Sequence, residues 1–155
     1  MKNTTALLIC ILIPLAIGGF AGFATASGIS EWYITLNKPS FNPPNSLFAP
    51  VWTILYLLMG ISLFLIWKSP RGTDRSNALI VFTLQLTLNF IWSFLFFRFE
   101  LPGWALVEIV MMWISILTMI ILFGRVRKAA AYLQIPYLLW VSFATILNAS
   151  IWHLN

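Results

Sequence analysis

Charge is what this chain has least of. Only 8% of its 155 residues are charged, nine basic against four acidic, while 61% are hydrophobic and mean hydropathy is +0.92. Soluble domains carry about 25% charged residues, so a water-exposed globule is excluded. Cys10 is the single cysteine and lies inside an apolar run, which leaves no disulfide framework and no thiolate metal site. His153 is the single histidine, so no multi-histidine metal site exists and the expected metal set is none. Phosphate-binding glycine loops, Ser/His/Asp arrangements and paired carboxylates are also missing. The formal net charge is +5, but the basic residues cluster in short stretches between apolar runs. That pattern belongs to loops that orient a membrane protein and not to a nucleic-acid surface.

What is present is long hydrocarbon. Apolar segments cover Ala6–Ala26, Phe48–Trp67, Asn77–Phe97, Pro102–Phe123 and Ala130–Leu154. At roughly 20 residues per crossing they predict an all-α, single-domain bundle of five transmembrane helices over residues 1–155. Outer-membrane strands would give short alternating segments instead. The first segment ends Ala24-Thr25-Ala26 after a basic start, like a cleavable signal. Its apolar stretch exceeds the usual signal core, however, and Gly18 and Gly22 give a face suited to helix packing, so retention is expected. One side of the five-span layout collects Lys2, Lys68, Arg71, Arg75, Arg125, Arg127 and Lys128; the other holds Lys38 and Arg98 with Glu31 and Glu100. The positive-inside rule therefore puts the N-terminus in the cytoplasm, and the short chain suits a bacterial plasma membrane.

The connector "KPSFNPPNSLFAPVW", Lys38–Trp52, holds four prolines among aromatics. Proline limits backbone freedom, so this stretch is expected to be a semi-rigid lid with Phe41 and Phe48 beneath it. Pro50 is expected in the first turn of the second helix, where proline is tolerated.

Polar residues inside the spans fall on faces. Gln85, Asn89 and Ser93 recur every four residues, which aligns them on one side of a helix. Such a stripe either hydrogen-bonds between helices or lines a ligand cavity. Trp140, Ala144 and Asn148 share a face of the fifth span; Trp52, Tyr56 and Gly60 share one of the second. Tryptophans at span ends usually anchor to the interface, but flat side chains beside small ones also form a slot for a planar aromatic ligand. Glu108 is the one acid well inside a span, a possible intramembrane proton-relay group or a buried structural carboxyl.

Taken in order, Trp32-Tyr33, "KPSFNPP", "VWTILYLLMG", "QLTLNFIW", "GWALVE" and "PYLLWVSFATILN" resemble the TspO/MBR family of translocator and tryptophan-rich sensory proteins, over about Trp32 to Asn148. The resemblance implies a five-helix bundle, commonly a homodimer, with a pocket beneath the first loop. It also implies binding of protoporphyrin IX and of isoquinoline carboxamide-type synthetic ligands. Some bacterial relatives degrade the porphyrin with light and O2 and hold no permanent cofactor. The tryptophans implicated there correspond to Trp52 and Trp140, which become the candidate catalytic pair. The other ligand-binding positions implied are Tyr33, Asn89, Trp92, Trp104, Ala144 and Leu147; Pro43, Pro44, Phe48, Tyr56, Gln85, Phe143 and Asn148 join them as candidates. The family's acid in the fourth helix appears as Glu108. The animal cholesterol segment is not intact, since Ala149 and His153 stand where tyrosine and arginine are expected, and the motif is weak in any case. The first loop carries Phe41 where tryptophan is usual. The activity expected is photo-oxidative loss of bound porphyrin. The rivals are a sensor that binds without turnover and a porphyrin transporter, the latter disfavoured by the lack of an inverted repeat.

Overall fold

The computed structural model describes residues 3–155. Lys2, one of the basic residues used for orientation, lies outside the described residues. Helices α1 (Asn3–Ser27), α2 (Asn45–Trp67), α3 (Thr73–Ser93), α4 (Pro102–Val126), α5 (Lys128–Tyr132) and α6 (Ile135–Leu154) follow in order. Among the described residues there is no strand, and five helical stretches are long and apolar enough to cross a membrane.

The spans run beyond the apolar segments, furthest at the first, which extends to Thr35. After α1 the chain continues as a widened turn, Gly28–Trp32, and a tight one, Tyr33–Thr35, before it becomes extended at Leu36. α2 begins directly after Pro43-Pro44, with Pro44 extended as its N-cap. This is a correction: Pro50 sits in the second turn, not the first, where its ring withholds a hydrogen bond from the Ser46 carbonyl. The fifth span is two helices because Pro136 has no N–H for the Tyr132 carbonyl. The break at Leu133–Gln134 is tied down by Gln134 Nε2, which donates to the Leu58 carbonyl at 3.3 Å.

The core is apolar and central. Leu55, Met59 and Ile66 of α2, Phe82 and Leu86 of α3, Met112, Ile116, Met119 and Phe123 of α4, and Tyr137 and Val141 of α6 are buried in one cluster. The α1–α2 contact is close because Gly60 has no side chain: a Cβ there would collide with the backbone of Ile11 and the Cys10 carbonyl. α1 meets α3 further along, where Phe20 stacks on Phe90 at 6.0 Å and Gly28 lies against the Phe97 carbonyl. Trp113 Nε1 donates to Ser142 Oγ at 2.7 Å and links α4 to α6.

The connector, residues 36–44, crosses the end of the bundle where α6 finishes. Asn37 and Asn155 exchange two hydrogen bonds, N–H to Oδ1 at 2.9 Å and Nδ2 to the Asn37 carbonyl at 3.0 Å. Tyr33 donates its hydroxyl to Asn42 Oδ1 at 2.7 Å, and Phe41 meets Phe143 edge-on at 6.3 Å.

Candidate functional site

A cavity of about 560 Å³ opens in the half of the bundle nearest the connector, bounded by α1, the start of α2, the end of α3 and α6. No charged side chain lines it. Its volume lies within the ~300–1,000 Å³ of small-molecule sites. Helical spacing explains how one residue set converges here. Trp52 and Tyr56 are one turn apart on α2, and Trp140, Ala144 and Asn148 repeat every fourth residue on α6, so each group shares a face.

Of the fifteen ligand-binding candidates, nine line this cavity: Tyr33, Phe48, Trp52, Tyr56, Trp92, Trp140, Ala144, Leu147 and Asn148. Trp52 stacks on Tyr56 at 5.5 Å and meets Tyr137 edge-on at 6.2 Å. Trp140 meets Phe48 edge-on at 6.0 Å. Trp92 lies flat on Phe96 at 5.2 Å and donates its indole N–H to Asn148 Oδ1 at 3.2 Å. Asn148 in turn donates to the Pro102 carbonyl at 2.8 Å, which fixes its amide against the start of α4.

The other six lie elsewhere. Asn89 is buried behind Tyr56, accepting its hydroxyl at 2.6 Å and donating to Tyr137 Oη at 3.1 Å. Tyr137 reaches on to the Met112 sulfur at 3.7 Å. Gln85 is fully buried one turn further along, and neither atom of its amide has a partner among the described residues. The α3 stripe thus divides: Gln85 and Asn89 stay in the core, and Ser93 reaches the cavity wall. Phe143 stands behind Trp140 at 5.6 Å, and Pro43 and Pro44 lead the connector into α2. Trp104 is 67% exposed on the outer side of α4 and contributes nothing to the cavity lining. Glu108 is buried away from the cavity with both carboxyl oxygens unpartnered among the described residues.

Several lining residues were not among the candidates: Gly18, Gly22 and Thr25 of α1, Ile29, and Phe96 and Phe97 after α3. The glycines carried a signal that pointed to helix packing. Gly18 does pack closely, admitting the Tyr56 ring of α2, whereas Gly22 faces open space; both also line the cavity, so the small face of α1 forms one of its walls.

A profile of the TspO/MBR family matches residues 10–153. The chain belongs to that family. A tryptophan-rich protein TspO from Chlorobaculum tepidum is 43% identical over 99% of this chain and 98% of its own length. Another from Archaeoglobus fulgidus is 42% identical over 99% of both. The human translocator protein is 37% identical over 90% of this chain and 85% of its own. Within this TspO/MBR chain, the cavity is lined largely by flat aromatic rings. Its walls offer indole and phenol faces, a few hydroxyls and the Asn45 and Asn148 amides, and no charged side chain.

Proposed function

We propose that this membrane protein binds protoporphyrin IX in the aromatic cavity and promotes its light- and O2-dependent breakdown. The observation that carries the reading is the uncharged cavity with Trp52 and Trp140 on its α2 and α6 walls. An excited porphyrin either passes energy to O2 or accepts an electron from a neighbouring indole, and both tryptophans line the same space. Free-base porphyrin needs no axial ligand, which suits walls without histidine. Isoquinoline carboxamide-type ligands are proposed for the same cavity. A homodimer, as the resemblance implies, in a bacterial plasma membrane is proposed with it.

The test is to titrate purified protein with protoporphyrin IX, then illuminate it in air while recording absorbance. Wild type should lose the porphyrin bands. Trp52→Phe combined with Trp140→Phe should bind within about threefold of wild type yet lose the bands at least about tenfold more slowly. Equal rates would overturn the mechanism. Tight binding without light-dependent loss in wild type would instead support a sensor; one relative, from Cereibacter sphaeroides, carries the name tryptophan-rich sensory protein.

A further inference from the structure

A second apolar groove of about 680 Å³, sharing no residue with the central cavity, runs between α1 and α3 at the opposite end of the bundle. Its length is set by the helices that form it. Eleven residue steps separate Ala6 from Ile17 on one wall and Leu79 from Phe90 on the other, about 16 Å of helix at 1.5 Å per residue. That is one leaflet of a hydrocarbon core ~30 Å thick. Phe20 on Phe90 closes the groove near the membrane centre, and Trp67 stands at its other end. The lining hydroxyls are already used: Thr83 donates to the Leu79 carbonyl at 3.0 Å and Thr87 to the Thr83 carbonyl at 2.9 Å. The occupant therefore needs to be hydrocarbon along this length.

The mouth is basic. The Arg75 guanidinium lies over the Trp67 ring at 5.0 Å, held there by the carbonyls of Ile66 at 3.3 Å and Trp67 at 2.9 Å that end α2. Those bonds employ two of its five N–H donors. Lys68 and Arg71 are exposed in the same turn.

We propose that the α1/α3 groove binds one acyl chain of an anionic membrane phospholipid whose headgroup phosphate is held at the mouth by Arg75, with Lys68 and Arg71 adding attraction. Hydrocarbon of one-leaflet length fits the dry walls, and the basic turn lies at the depth of that lipid's headgroup. An anionic surface attracts each such residue by about 1 kcal/mol.

Native mass spectrometry of the detergent-solubilised full chain tests this with phosphatidylglycerol and phosphatidylcholine of identical acyl chains. Wild type should retain one phosphatidylglycerol, and phosphatidylcholine at least about fivefold less, as one basic contact implies. Arg75→Gln should bring phosphatidylglycerol down to the phosphatidylcholine level. Thr83→Trp, which fills the groove from an exposed position, should abolish retention, and Thr87→Phe serves if that variant misfolds. Ile80→Trp, on the same helix but outside the groove, should leave retention unchanged. Equal retention of both lipids, or undiminished retention in the groove-filling variants, would overturn the proposal. So would a lipid-free dimer that Thr83→Trp alone dissociates, because a second copy would then occupy the groove.

Discussion

Asn89 shows how much one side chain organises in a bundle with no ion pair among the described residues. It accepts from Tyr56 and donates to Tyr137, so one amide sets the pose of two rings that support Trp52. Asn89→Leu would leave two buried hydroxyls without that partner. Contacts of this kind average about 0.6 kcal/mol in membrane bundles, and orphaned buried groups cost ~1–3 kcal/mol. Reversible unfolding in mixed micelles should therefore show a loss of about 1–3 kcal/mol, with weakened porphyrin binding because Trp52 loses its backing. Spacing alone placed Gln85, Asn89 and Ser93 on one inward face. Spacing could not say that the cavity stops before Asn89, because that depends on the Tyr56 ring of another helix. Trp104 shows the same limit: as the third residue of α4 its direction is set by how α4 rolls against α3 and α6, which no local pattern encodes.

Among the elements, the ends carry the information that hydropathy misses. The five crossings were legible because each is a long uninterrupted apolar run. The widened turns after Ser27 and Ser93 were not, since they arise where α1 and α3 press together at Gly28 and Phe97. The turn after α3 closes with Glu100 at φ 57°, the left-handed region that L-residues enter at about 1–2 kcal/mol. The Leu101 N–H then reaches the Leu95 carbonyl at 2.9 Å. Glu100→Gly should raise unfolding stability by roughly 1 kcal/mol with the cavity untouched, readable in the same micelle assay. The connector makes a different kind of prediction. Its contacts to α6 run through Phe41 on Phe143 and Asn37 on Asn155, so a ligand that orders the cavity beneath should order it too. Cleavage of the connector by added protease should fall several-fold with protoporphyrin IX, and unchanged cleavage would count against a lid.

For the whole molecule, polarity between the two ends is the governing feature. The end formed by the Lys68–Gly72 turn and the α4–α5 junction is basic, and the connector end is nearly balanced. This predicts the basic end on the cytoplasmic side. Single thiols test it well because the native Cys10 is buried. In sealed inverted vesicles, Ser69→Cys should react with an impermeant maleimide, and Ser40→Cys should react only after permeabilisation. The reverse pattern would invert the topology. Composition made the membrane class plain, and the ordered motifs made the family plain. The cavity itself was only half visible, since one wall is α1, where Gly18 admits the Tyr56 ring and Gly22 leaves space open.

The clasp between Asn37 and Asn155 has a consequence for how the protein is made. Chains are synthesised from the N-terminus, so Asn37 emerges 118 residues before the side chain that holds it. The connector's other contact with α6, Phe41 on Phe143, also waits on this late segment, which carries Trp140 and Asn148 of the cavity wall. The cavity therefore stays open on its α6 side until that segment has been made, and a nascent chain spanning the bilayer with only its first four helices lacks that wall.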